Sequence, residues 1–599
     1  MNDPRVVGRW RDVAGHEHVA PPETVAALGA VLGAEVPPPM RFVRAGTAMP
    51  LAEPSDLQLE DGARFDGVRA LPADLPLGYH WLRSEREVTA VVVTPGRCHL
   101  PSGLRAWGWA VQLAATRSRS SWGMGDLADL RQLAAWSAER GAGFLALSPL
   151  HAPAPSSPQQ PSPYYASSRR FRNPLHLRVE EVDGAELAAE AVTRAAAAGR
   201  ALDEGRRIDR DRVWALKREA LEACFRQSSS RILWHDHRYT WGRWCALAEV
   251  HSGDWRRWPP ELRHPSSPAV GEAVRPLLPR VAFHLWLQQQ LDRQVGAVGL
   301  PLVQDLAVGF DPGGFDAWEW QDRLALDWRI GAPPDEFNRA GQDWGLPPFV
   351  PAKLRAARYE PFVETVRAVL RHAGGLRVDH VMGLFRLFWV PPGGAPSDGT
   401  YVRSPASDLL DLLALESVRA GAVVVGEDLG TVEPEFCAEL AERRVLSTRL
   451  LWFEDDPPAR WPEQALAMVT THDLPTVAGV WTGADLDGQR SAGVLVTEDG
   501  NADLRRRLAE RAAVSDDASV DEVVVAAHET LAEAPSALVS ATLEDALAVT
   551  ERPNMPGTVD TWPNWSLALP EPLEVLEADP RVRAVADALG EGREGGGLR

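Results

Sequence analysis

Apolar residues along this chain fall into short runs separated by helical stretches, and their order predicts the fold. Residues 1–40 begin polar. From Pro22-Glu23 an Ala/Leu/Val stretch with helical spacing runs on and ends before Pro37-Pro38-Pro39. Over 41–100 the pattern changes to short apolar runs, such as 88–93, cut by Pro and Gly and closed by Pro95-Gly96, which predicts a small β-rich unit. From about 104 strand and helix alternate: 109–113 reads as a strand, 126–138 as a helix, and 144–147 as a buried strand before Ser148-Pro149. A Pro/Ser-rich loop over 151–163 follows, long enough to imply a functional role. Residues 184–298 are rich in Ala, Arg, Glu and Leu at helical spacing and read as a helical insertion. The strand–helix rhythm then resumes, with strands at 302–306, 376–378, 422–425, 449–452 and 468–470. Most of these runs end in a polar or charged residue, as barrel strands do when chemistry sits at their C-terminal ends. Residues 486–540 are polar, acidic and helical, and a Gly/Glu-rich tail from about 588 is expected to be disordered.

Composition narrows the class without naming it. The 599 residues are 45% hydrophobic and 24% charged, ordinary for a globular chain able to bury a sizeable core. The formal charge is 63 − 83 = −20, which disfavours non-specific binding to nucleic acid or an anionic membrane and is otherwise explained by solubility. The four cysteines, Cys98, Cys224, Cys245 and Cys437, are scattered and form no CxxC pair, which fits a reducing compartment and disfavours a disulfide framework or structural zinc. The polar stretch 1–10 lacks a signal core and no run of about 18 apolar residues occurs, so a cytoplasmic location is expected. There are 23 Trp against 6 Tyr; indole faces stack on sugar rings, but core packing explains such a count equally well.

The strand ends carry the candidate chemistry. Asp305 lies near the end of one run. In Leu376-Arg377-Val378-Asp379-His380 the Arg stands two residues before the Asp, so both side chains leave an extended strand on one face. A guanidinium there favours an ionised Asp379, available as a nucleophile. Val423-Val424-Val425-Gly426-Glu427-Asp428 puts a Glu after a buried run, and Thr470-Thr471-His472-Asp473 repeats the arrangement with a His and an Asp. Glycoside chemistry needs this inventory: one carboxylate to attack the anomeric carbon, and another to protonate the departing oxygen and later activate the acceptor. Further carboxylate and His contacts to sugar hydroxyls favour the distorted, positively charged transition state. Asp126 reads instead as the cap of the helix that follows it, and Asp545 as part of a structural segment.

The strings Gly375-Leu376-Arg377-Val378-Asp379-His380, Gly426-Glu427-Asp428-Leu429-Gly430 and Thr471-His472-Asp473 resemble the active-site motifs of the 4-α-glucanotransferases, glycoside hydrolase family 77 of the α-amylase superfamily. Ser121-Trp122-Gly123-Met124-Gly125-Asp126, Ser162-Pro163-Tyr164, Asn173-Pro174 and Asn554-Met555-Pro556-Gly557-Thr558 are similar to that family as well. Pro333-Pro334-Asp335 with Gly341-Gln342-Asp343-Trp344-Gly345 is characteristic of this branch.

The resemblance, which covers about 104–570, implies a (β/α)8 TIM barrel with helical and loop insertions, an α/β fold, and no metal or organic cofactor. It implies Asp379 as nucleophile, Glu427 as general acid/base and Asp473 as transition-state stabiliser. Arg377 would orient Asp379, His380 beside them would contact substrate, and His472 would bind sugar hydroxyls. Asp305 would lie near the donor sugar and Tyr164 would stack on it. A loop carrying Gln342 and Trp344 would partly cover the cleft, which matters because an acceptor hydroxyl must outcompete water. Two departures stand out. Leu474-Pro475-Thr476 replaces the Asn-Asp-Thr of shorter members, so a polar contact beside Asp473 is missing or supplied elsewhere, and Val381-Met382-Gly383-Leu384 replaces Phe-Arg-Gly-Phe. Leu75-Pro76-Leu77-Gly78-Tyr79-His80 resembles the extra module of longer bacterial members.

The expected organisation is an N-terminal module over 1–103, a catalytic barrel over 104–585 with the helical insertion near 184–298, and a disordered tail over 586–599. The expected activity is transfer of an α-1,4-glucan segment to the 4-hydroxyl of an acceptor glucan or glucose. Partners would be α-1,4-glucan oligosaccharides or polysaccharides, with no nucleic acid and no membrane. The rival readings are an α-glucan hydrolase on the same residues and a non-catalytic glucan-binding protein; the second would be expected to lack at least one of the three carboxylates.

Overall fold

The computed structural model describes residues 3–11, 16–33, 37–232, 236–334, 340–430, 433–494, 498–593 and 597–598. The chain divides into two compact units. The first is Met1–Pro101, Leu306–Pro312 and Trp320–Ser447; the second is Ser102–Asp305, Gly313–Glu319 and Thr448–Arg599. Met1–Pro101, the N-terminal module, shares a unit with the segments that carry Asp379 and Glu427.

Eight strands make the parallel sheet of an α/β, TIM-like fold: β1 (Ala106–Val111), β2 (Phe144–Leu147), β3 (Leu302–Leu306), β4 (Gly375–Val378), β5 (Val423–Gly426), β6 (Ser447–Leu450), β7 (Ala465–Met468) and β8 (Leu538–Thr542). The second unit orders its strands β3-β2-β1-β8-β7-β6. In the first, β4 pairs with β5 in parallel, Gly375 to Val423 through Val378 to Gly426. Every residue of β3, β5, β7 and β8 is buried, as expected of parallel strands covered on both faces.

In the second unit, helix Leu127–Glu139 follows β1. The Asp126 carboxylate accepts from the Ala128 and Asp129 amides at 2.9 and 3.3 Å, and Asp129 accepts from the Asp126 amide, a reciprocal cap. Arg178 reaches both carboxylates at 2.7 Å. Burial pushes Asp129 up to about 6. The expected helical insertion contains helices Ala189–Arg200, Arg210–Gln227, Asp236–His251, Pro268–Val274 and Leu278–Gly296. Most tryptophans serve the core: Trp107, Trp109, Trp122, Trp244, Trp258, Trp286, Trp318 and Trp389 are fully buried.

Three differences from the sequence reading have physical reasons. The helical reading of 486–540 holds for Ala484–Ala492, Glu498–Arg511 and Val520–Ala532, but its last residues are β8, paired with β1 from Leu538–Ala106 to Thr542–Ala110. The tail expected from 586 begins inside helix Pro580–Gly590, and buried Arg593 donates to the Ser536 carbonyl at 2.9 Å. The loop carrying Gln342 and Trp344 is a strand, Gln342–Leu346, at the edge of a four-stranded antiparallel sheet with Arg329–Ala332, Arg386–Val390 and Thr400–Arg403. Asp335 lies outside the described residues.

The N-terminal module pairs Arg9–Arg11 with Glu17–Val19, continues as helix Pro22–Leu32, and then forms a five-stranded sheet. Its order is Met40–Arg44, Val88–Thr94, Gly78–Arg83, Met49–Gln58 and Arg64–Leu71.

Candidate active site

In the first unit the predicted residues sit where β4 and β5 end. The ladder between them continues past the strands: the Glu427 amide donates to the Val378 carbonyl at 3.0 Å, and the Val381 amide to the Glu427 carbonyl at 3.0 Å. Asp379 and Glu427 are thus fixed one step beyond the sheet, where a parallel barrel presents side chains to substrate. Arg377 Nη1 donates to Asp379 Oδ1 at 3.0 Å, as two side chains two residues apart on a strand can. A guanidinium at this distance favours the charged carboxylate.

Glu427 is held by backbone. Oε2 accepts from the His380 amide at 2.9 Å and Oε1 from the Leu429 amide at 3.0 Å. Each oxygen keeps a further lone pair for substrate. His380 adopts left-handed backbone, φ 47°, an uncommon conformation for a side chain of its size. Burial holds its imidazole below the ordinary histidine pKa, and Glu427 opposes that shift. The Trp344 ring meets His380 edge-on, with centroids 5.4 Å apart. Trp344 Nε1 donates to Gln342 Oε1 at 3.0 Å, so these two side chains brace each other on the edge strand.

In the second unit a separate set of predicted residues comes together. The Ser162 hydroxyl accepts from the Tyr164 amide at 3.3 Å, forming the turn that presents the tyrosine. Tyr164 Oη donates to Asp305 Oδ2 at 2.6 Å; Asp305 is buried within β3, 4% exposed. The Tyr164 ring lies 5.1 Å from that of His472 and 5.3 Å from that of Trp565, and the last two are 5.0 Å apart. His472 Nε2 stands 3.3 Å from Asp473 Oδ2, and the Asp473 side chain is 46% exposed.

Sequence reasoning assigned no role to three residues of this second group. Asn554 Nδ2 donates to Asp473 Oδ1 at 2.7 Å, which supplies a polar contact beside Asp473 in a chain that carries Leu474-Pro475. Arg552 Nη1 donates to the Asp473 carbonyl at 3.2 Å while its Nε binds buried Asp485 at 2.7 Å. Trp565 completes the ring cluster. Asn554 opens a quoted motif, so a signal existed for it; Arg552 and Trp565 flank that motif and carried none. Asp545 is structural, as expected: Oδ1 accepts from the Val477 amide at 2.8 Å, and burial pushes the carboxyl up to about 6. Its neighbour Glu544 is pushed by burial to about 7. Among the described residues, no group of three or more His, Cys, Asp or Glu could hold a metal ion.

Comparison with known proteins shows the family. The sequence profile of the 4-alpha-glucanotransferase family, glycoside hydrolase family 77, matches residues 111–573. The chain is 44% identical over 584 residues to the 4-alpha-glucanotransferase of Mycobacterium tuberculosis, covering 87% of this chain and 80% of that one. It is 30% identical to the 4-alpha-glucanotransferase of Haemophilus influenzae, over 88% and 85% of the two chains. Amylomaltase from Corynebacterium glutamicum superposes with a TM-score of 0.86 at 30% identity, over 98% of both chains. Its α/β fold, its strand-end carboxylates and these relatives together establish that the chain belongs to the 4-alpha-glucanotransferases, enzymes acting on α-1,4-glucans.

Proposed function

We infer that the chain disproportionates α-1,4-glucans through a covalent glycosyl-enzyme, with Asp379, Glu427 and Asp473 as its catalytic carboxylates. Asp379 attacks the anomeric carbon while the protonated Glu427 gives its proton to the departing 4-oxygen, releasing the reducing-end fragment. The second half runs in reverse. Glu427, now a carboxylate, takes the proton from the 4-hydroxyl of an acceptor, and that oxygen displaces Asp379 from the anomeric carbon. Two inversions retain the α configuration.

The observation that carries this reading is the end of the β4–β5 pair. Arg377 is bonded to Asp379, and one residue past the neighbouring strand stands Glu427, whose oxygens are held by two backbone N–H groups. In the same reading Asp473, aligned by Asn554 and His472, accepts hydroxyls of the distorted ring. Tyr164 stacks on the donor glucose with Asp305 beside it. Gln342, Trp344 and His380 line the acceptor side. Four free cysteines support a cytoplasmic setting.

Incubation with maltotriose tests the reading. Transfer gives glucose and a ladder of longer oligomers at constant total reducing ends, whereas the rival hydrolase gives a steady rise in reducing ends. Glu427→Gln and Asp379→Asn should each lose at least about 10³-fold in kcat while still binding glucan. Wild-type turnover in either variant refutes the assigned role.

A further inference from the structure

The string Leu75-Pro76-Leu77-Gly78-Tyr79-His80 has no part in the chemistry above, yet it sits on the scaffold of the first unit. The His80 ring holds the string: Nδ1 accepts from the Glu60 amide at 3.2 Å, so Nε2 carries the proton given to the Pro76 carbonyl at 2.8 Å. A Cβ at Gly78 would stand 2.4 Å from Glu60 Oε2 and 2.8 Å from Arg419 Nη2, so those two side chains would have to shift. Tyr79 next to it reaches two helices.

Those helices are Glu360–Leu370, which leads into β4, and Ala406–Ala420, which leads into β5. Tyr79 Oη donates to Glu416 Oε1 at 2.7 Å. Arg367 of the first helix clasps the same carboxylate, Nε to Oε2 and Nη2 to Oε1, both at 2.9 Å. The Arg367 and Arg419 guanidiniums stand 5.1 and 5.2 Å from the tyrosine ring. Leu77 and Tyr79 pack on the same apolar cluster as Leu376 and Val378 of β4 and Val424 of β5. One module side chain is therefore tied through Glu416 to both elements that feed the strands ending in Asp379 and Glu427.

We propose that Tyr79, acting through Glu416 and Arg367, is a positioning residue for the transfer reaction: it locks the two helices in register, and so fixes the spacing of Asp379 and Glu427. The module then serves the chemistry without touching the glucan. This rests on the roles inferred above for those two carboxylates. Small misplacements of reacting groups are costly, because rate depends steeply on near-attack geometry.

The test uses the full chain. Tyr79→Phe removes one hydroxyl, and Glu416→Gln keeps the shape while weakening the charged clasp. Leu57→Ala, in the module's own apolar core, is the control that destabilises the module without touching the clasp. Single-turnover glucose release from maltotriose is measured well below each melting temperature and expressed per folded molecule. The expected result is a fall of about five- to tenfold in the chemical step and in kcat for Tyr79→Phe and Glu416→Gln, with KM within about twofold and Leu57→Ala at the wild-type rate. A wild-type rate in Tyr79→Phe overturns the proposal, and so does an equal loss in Leu57→Ala. Asp379→Asn is run alongside: if it stays active the mechanistic roles fail, and if it is dead while Tyr79→Phe is normal only the positioning role fails.

Discussion

Asn554 offers the sharpest test of the residue group around Asp473 in the second unit. Its amide donates to Asp473 Oδ1 at 2.7 Å, and hydrogen bonds to charged groups contribute about 1.5–3 kcal/mol. The Asp473 side chain is 46% exposed, so in the free enzyme water replaces much of what Asn554→Ala removes, and stability should change little. Once a sugar ring excludes that water the loss falls on the transition state. At about 1.4 kcal/mol per factor of ten, kcat/KM should drop roughly 10- to 100-fold. Asn554→Asp separates geometry from charge. Two carboxylates at the same contact repel by about 1.5 kcal/mol at the dielectric of water and about twice that at half the dielectric. The pair then holds one proton more tightly than either carboxyl alone. Its activity should recover as pH falls, because a protonated carboxyl restores a donor, and should fall again as pH rises. Asn554→Ala should keep the wild-type pH shape. The assay is initial-rate glucose release from maltotriose across pH. Wild-type kcat/KM in Asn554→Ala would refute the argument.

Other expectations follow from single contacts. Tyr164→Phe removes the 2.6 Å bond to buried Asp305; the lost donor costs about 1–3 kcal/mol, seen as a fall of roughly tenfold or more in kcat/KM and a lower melting temperature. Gly426→Ala places a Cβ 3.0–3.1 Å from Val381, beside the His380 turn that donates to Glu427, so kcat should fall with KM little changed and the circular dichroism unaltered. Glu544 is raised by burial from 4.5 to about 7 in the folded state. The folded protein therefore holds this proton more tightly than the unfolded chain. The associated stability is fully present below about pH 4.5 and is lost as pH rises through about 7. Glu544→Gln should recover about 3 kcal/mol at pH 8 and nothing at pH 4, read by denaturant titration at both; equal effects at the two pH values would refute it.

How much of this was legible in sequence depends on where each element gets its stability. β2 and β3 begin and end where their apolar runs do, because a parallel strand buried on both faces leaves no alternation to misread. β8 was not legible. It contains Ser540 and Thr542, both buried, and follows an acidic helical stretch; it is a strand because β1 pairs with it. Gly-Gln-Asp-Trp-Gly reads as a loop on local propensity, and the antiparallel partner Arg329–Ala332 makes it an edge strand. The module's boundary near 103 reflects a change of composition. Its packing against the β4–β5 core depends on side chains such as Tyr79 and Leu77, whose partners lie hundreds of residues away.

The site divides along the same line. Arg377 beside Asp379 follows from the period of a strand, so it could be read directly. The groups that hold the other two carboxylates could not. Glu427 is gripped by backbone N–H groups, one of them aimed by the left-handed turn at His380, and backbone donors leave no trace in residue identity. Asp473 takes its amide donor from Asn554, far along the chain, and Arg552 anchors that segment through Asp485 and the Asp473 carbonyl. The Leu474-Pro475 departure then becomes intelligible. The Pro475 carbonyl accepts from Thr470 Oγ1 at 2.9 Å and Trp452 Nε1 at 3.2 Å, which fixes the turn after Asp473 without polar side chains at 474 and 475. With the turn held by its own backbone and the carboxylate held by Asn554 and His472, neither position need contribute a polar group to orient Asp473.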